Sequence, residues 1–228
     1  MKKIIDYFYK ILCKGKYDDF HIDKNVSSGY LLFFLFEKIC DLVRGFFLTG
    51  KLFVFVGRNT KVKSKKQFRF KETLIISNSA FIDALSINGI LLGSNCSIGK
   101  YTCIECTGSL ENLGKGFIVG NNCGLGTHSF YGCAGGIEIG DDVIVGNYVG
   151  MHSENHNFSD KEIPIRLQGV NRKGIKIGNN CWIGAKATIL DGTTIGNGCV
   201  IAAGAVVNGS FPDNVVIGGV PAKIIKYR

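Results

Sequence analysis

Three prolines and one tryptophan stand in a chain of 228 residues, and two methionines and four histidines complete the scarce types. So little proline excludes a collagenous or proline-rich chain. Long apolar runs are missing too, because Glu37, Lys38, Asp41 and Arg44 interrupt the richest stretch. What remains is well short of the roughly 20 residues that a transmembrane helix needs. The first apolar stretches, broken by Asp6, Lys10 and Lys14, do not read as a signal peptide. Nine cysteines without a secretory leader fit a reducing cytoplasm better than a disulfide framework. Cys103-Ile-Glu-Cys106 is the only CxxC and has no second pair or histidine at finger spacing, so no metal is expected.

What is abundant is glycine, with 31 residues, in a chain that is 46% hydrophobic. That apolar fraction supports a substantial core, and so much glycine with so little proline implies a repeated backbone requirement. Charge is uneven: residues 1–72 hold sixteen Lys/Arg against seven Asp/Glu, whereas residues 73–228 hold eleven of each. The basic surplus of the first third suits an anionic membrane surface, an acidic partner or nucleic acid.

An internal repeat organises the rest. An aliphatic residue returns at every sixth position through Ile177, Ile183, Ile189, Ile195, Ile201 and Val207, followed by Gly178, Gly184, Gly196 or Ala202. The fifth place holds Cys181, Ala187, Thr193, Cys199 and Ala205. Upstream blocks keep the phase in Leu92, Ile98 and Ile104, in Val119, Leu125 and Tyr131, and in Ile139, Val145 and Met151, with fainter hexads from Val56. A period of six fits neither helix nor strand alternation. Short strand plus turn fits it, each hexad forming one wall of a coil with glycine permitting the corner. Three hexads then close a triangular turn, and Cys96, Cys123, Cys181 and Cys199 read as small core residues.

The run Ile177-Gly-Asn-Asn-Cys-Trp-Ile-Gly-Ala through Gly218-Gly-Val-Pro-Ala222 resembles the sugar O-acetyltransferase branch of the hexapeptide-repeat acyltransferases. The resemblance implies a mainly β fold, a left-handed parallel β-helix over residues 54–228, preceded by a basic helical segment at 1–53. The left hand comes from the resemblance alone, since parallel crossovers generally favour the right. It further implies a homotrimer, acetyl-CoA as co-substrate in a groove between neighbouring coils, and a sugar or glycan acceptor in surface polysaccharide biosynthesis.

The hexads stop between Met151 and Ile177, and this interruption, at about 152–174, is the expected catalytic loop. The family's general base aligns with His156. A sugar hydroxyl is a weak nucleophile that a base titrating near neutrality must activate, and histidine meets that demand. Glu154, His128, His152 and Asn157 are expected as supporting or acceptor-binding residues, Glu154 by orienting the imidazole. Trp182 sits at an outward hexad position and is expected near the thioester, beside Gly184. Ala202, Ala203 and Gly204 would admit the pantetheine arm. Gly219, Pro221, Lys223 and Lys226 belong to the turn expected at the nucleotide end, in a tail from about 208.

The apolar positions Ile4, Ile5, Phe8, Tyr9 and Leu12, and later Leu31 to Phe36, Ile39, Leu42, Val43 and Phe47, predict helices over residues 1–50. Two placements compete, a cap on the solenoid or peripheral contact with the inner face of a membrane. Rival functions on the same repeat are N-acetylation of an amino-sugar nucleotide, a zinc hydratase of the γ-carbonic anhydrase type using His128, His152 and His156, and a non-catalytic scaffold. The hydratase is disfavoured because those histidines fall at different hexad positions. Aromatic and basic residues do not interleave as a nucleic-acid module requires, so no nucleic-acid partner is expected.

Overall fold

The computed structural model describes residues 22–228. His21 and the apolar positions from Ile4 to Leu12 lie outside the described residues. After Ser27 comes one helix, α1 (Ser28–Thr49), and then strands of mostly two or three residues. Three parallel sheets form the walls of a triangular prism. The first begins with Val54–Val56 and Leu74–Ile76, the second with Lys61–Lys63 and Phe81–Asp83, the third with Phe68–Phe70 and Ile90–Leu92. Seven strands on each of the second and third walls define seven coils.

Stacking in register turns the hexad into a core. On the first wall Ile76, Ile98, Leu125, Val145, Ile183, Ile201 and Ile217 lie one above another. All are buried, as are Cys96, Cys123, Cys181, Ala187, Cys199 and Ala205 at the small position. The thiols add weak bonds between coils: Cys123 Sγ donates to the Gly140 carbonyl at 3.1 Å and Cys181 Sγ to that of Gly196 at 3.2 Å.

The expectation that glycine permits the corner is corrected. Glycine at the second place is needed because coils approach closely there: a Cβ on Gly126 would stand 1.9 Å from the Gly146 carbonyl oxygen. The left-handed residue of the corner is the fourth, occupied by Asn122 (φ 57°), His128 (φ 54°), Asp142 (φ 58°) and Asn180 (φ 54°). The third place carries a side-chain ladder that the hexad pattern left blank. Along one edge the backbone N–H groups of Ser94, Asn121, Asp141, Asn179 and Asn197 each donate to the Asn or Asp one coil on, at 2.5–3.0 Å. These carboxylates and amides satisfy corner N–H groups that the sheet ladder misses.

Both ends are covered. Ser27 caps α1 by accepting from Tyr30 N–H, Gly50 ends it at φ 70°, and Gly45 lies so close to Val54 that a Cβ would overlap its carbonyl. Arg44 Nε donates to the Val56 carbonyl at 2.8 Å. At the far end, residues after 207 continue the prism, and Ala222–Tyr227 folds back antiparallel onto Val215–Gly219.

Gly126→Ala is expected to lose about 2 kcal/mol of stability from the forced separation of coils, and Gly204→Ala, with open space around it, about 1 kcal/mol from its left-handed φ. Urea denaturation measures both, and equal losses would remove the close-approach explanation. Burial pushes the Cys123 thiol up to about 12 and that of Cys181 up to about 11, against 9.0 for a free thiol. A raised thiol favours the folded state until the unfolded chain begins to ionise. Stability is therefore full below about pH 9 and is lost as the pH rises from there toward 11–12, which alkaline denaturation curves at fixed ionic strength will show.

Candidate active site

Insertions leave the prism at the edge between the second and third walls, where residues 106–116 and 153–174 bulge from the third and fifth coils. The longer one is a built structure. Its root is Ser153, fully buried, whose hydroxyl donates to the Gly132 carbonyl at 2.8 Å and accepts from Gly135 N–H at 2.9 Å. Asn155–His156 then pairs antiparallel with Val170–Asn171. The return is fixed by Asp191, 5% exposed, which accepts from Lys173 N–H at 2.9 Å and Gly174 N–H at 2.7 Å. A buried carboxylate receiving several backbone donors is a strong anchor.

Within the hairpin Asn157 is spent on structure: its amide donates to the Gln168 carbonyl at 3.0 Å and its oxygen accepts from Asn171 Nδ2 at 3.1 Å. Glu154, expected to orient the imidazole, instead accepts from Arg172 Nε at 2.6 Å. Arg172 in turn donates to the carbonyls of Asn112 and Leu113, joining the two insertions. His156 is exposed, and among the described residues no hydrogen bond or ion pair engages its imidazole.

The other candidates are dispersed. His152 lies outward on the second wall with its ring 5.4 Å from that of Phe130. His128 stands at the edge between the first and second walls, its ring 4.8 Å from both Tyr101 and Tyr148 in neighbouring coils. Trp182, 55% exposed, lies on the first wall between Ile144 and Val200. Ala203 and Gly204 are exposed at the corner above it, and no atom lies within 4 Å of a Cβ built on Gly204. Gly184 is a correction: it is buried, a Cβ would come 2.5 Å from Ala203 N, and so it serves the coil contact and offers no surface to a cofactor. Gly219, Pro221, Lys223 and Lys226 are exposed in the terminal hairpin.

One chain therefore does not bring His156 and Trp182 together, since the loop leaves the edge that the first wall faces away from. Sequence reasoning missed Ser153, Arg172 and Asp191. Asp191 alone had a signal, occupying the hexad place held elsewhere by Asn179 and Asn197.

Comparison with known proteins bears on the repeat and the fold. The family model "Bacterial transferase hexapeptide (six repeats)" matches residues 174–209, and "Hexapeptide repeat of succinyl-transferase" matches 116–149. A probable acetyltransferase of Mycobacterium tuberculosis is 42% identical over 92 residues, covering 40% of this chain and 31% of that protein. The putative lipopolysaccharide biosynthesis O-acetyl transferase WbbJ of Escherichia coli is 40% identical over 97 residues, covering 40% of this chain and 50% of its own. The matches thus span from a third to half of these relatives. Among solved structures, AntD, an N-acyltransferase from Bacillus cereus in complex with dTDP and 3-hydroxybutyryl-CoA, superposes with a TM-score of 0.52 at 23% identity, over 76% of this chain and 82% of that one. The prism is a left-handed parallel β-helix. Residues 116–149 and 174–209 thus match hexapeptide-repeat transferase models.

Arg172→Ala is expected to release the hairpin from the 106–116 insertion while sparing the buried anchors at Ser153 and Asp191. Limited proteolysis should then cut within 155–171 several-fold faster with the melting temperature nearly unchanged. Cleavage at the wild-type rate would show that Arg172 does not hold the loop.

Proposed function

We propose that the chain is an acetyl-CoA-dependent O-acetyltransferase acting on a sugar hydroxyl in surface polysaccharide assembly. The observation that carries it is His156: an unengaged imidazole on a hairpin whose polar neighbours Glu154, Asn157 and Arg172 are committed to holding shape. The relative WbbJ supports the acceptor class. In the reaction His156 accepts the acceptor's O–H proton as that oxygen attacks the thioester carbonyl. The tetrahedral adduct then expels the coenzyme A thiolate, which takes the proton back from the imidazolium. The acetyl group passes directly, without a covalent enzyme intermediate.

Acetyl-CoA fits the first wall. Ala202, Ala203 and Gly204 leave room for a slender pantetheine arm, and the exposed indole of Trp182 gives the thioester end an apolar shelf. Lys223 and Lys226 stand near the far end for phosphates. Because the base and this shelf lie on opposite sides of one prism, the site is completed by a second copy, with the loop of one chain laid over the first wall of the next. A homotrimer closes that arrangement. Phe158 (73% exposed), Ile165 (56%) and Leu167 (60%) on the loop supply the apolar surface such a contact would bury.

The test is thiol release from acetyl-CoA across sugars, glycolipids, nucleotide sugars and amino-sugar nucleotides. Release is expected with a hydroxyl acceptor and should fall by about 10² to 10⁴ in His156→Ala. Turnover that survives the substitution moves the base elsewhere, and release only with amines makes the enzyme an N-acetyltransferase. Trp182→Ala should raise KM for acetyl-CoA with a smaller effect on kcat.

A further inference from the structure

Helix α1 carries more apolar surface than the solenoid end covers. Only Leu31 and Gly45 of its 22 residues are buried. Leu32, Phe36, Ile39, Val43, Phe46 and Phe47 are 48% to 83% exposed. At about 100° per residue they form one continuous stripe about 140° wide with Phe33. No charged side chain lies within it. Lys38 and Arg44 stand outside the stripe and both pair with Asp41, the lysine at 3.4 Å.

Beside it the first coil is strongly cationic. Residues 54–72 contain seven Lys/Arg, all exposed, against Glu72 alone. A groove of about 210 Å³ between the helix end and strand Phe68–Phe70 is rimmed by Lys51, Lys65 and Arg69, so these cations stand beside the C-terminal end of α1. No described helix is long and apolar enough to cross a membrane.

We infer that this end of the molecule docks on an anionic lipid surface, with α1 lying in the interface and the first coil's lysines and arginines meeting the headgroup phosphates. An apolar helical face submerged by about 5–10 Å and ringed by cations is the arrangement that binds such surfaces. Docking two of these ends together would instead bring seven like charges of one copy against seven of the other. The inference is independent of the acetyltransferase reading and is measured without turnover, so either can fail alone.

The full chain is mixed with vesicles of phosphatidylcholine alone or with about one third phosphatidylglycerol, then floated at about 0.1 M and about 0.5 M NaCl. The expected result is co-flotation with the anionic vesicles only, weakened by salt. Phe36→Ser with Phe47→Ser should abolish it. Lys65→Gln with Lys66→Gln, two exposed positions outside the core, should weaken it by more than about tenfold at unchanged melting temperature. Absence of flotation, equal binding to neutral vesicles, or stripe variants that change the oligomer mass while flotation persists would each overturn the inference.

Discussion

Stacking one coil directly on the next by backbone hydrogen bonds is the constraint from which the other features follow. Neighbouring strands stand about 4.8 Å apart, so every residue at a corner meets its counterpart at that spacing. Where backbones converge most closely glycine is needed, as at Gly126 beneath Gly146, although Ala202 is accommodated at the same place in a later coil. Where the chain turns, a left-handed residue is required, and Asn or Asp tolerates it well. Where corner N–H groups lack a sheet partner, the Asn/Asp ladder receives them.

The same constraint decides where function can be placed. A coil that must pair above and below cannot vary on its walls, so the chain departs from regularity only at the edge between the second and third walls. There the loop is tied at its root by Ser153 and Asp191 and braced by Arg172, leaving His156 on a short, positioned hairpin. A mobile loop would give an exposed imidazole no defined direction, whereas this one has fixed departure and return.

The two ends of the prism are closed differently. The terminal hairpin extends the first wall by an antiparallel strand, protecting its edge. The helix instead lies against strand Val54–Val56 and turns its aromatic stripe outward. The expected alternatives of cap and membrane segment are thus not exclusive in geometry, because one face of α1 lies against the first coil while the other is exposed among the described residues.

The coiled walls of the prism were readable in the hexads, though not their hand. The six-residue period is long-range order written locally, so the buried Ile177, Ile183, Ile189, Ile195, Ile201 and Val207 and the buried Cys96, Cys123, Cys181 and Cys199 were legible before any coordinates, whereas the buried Cys106 and Cys133 were not. The loop was legible as the place where the period fails. What each of the other residues faces became visible in the folded chain. It gave Glu154 to Arg172, Asn157 to its own hairpin, His128 to a stack with Tyr101 and Tyr148, and Gly184 to the coil above. The reason is physical: a repeat specifies which residues point inward through periodicity alone, whereas a polar contact depends on which distant segment the fold brings within about 3 Å.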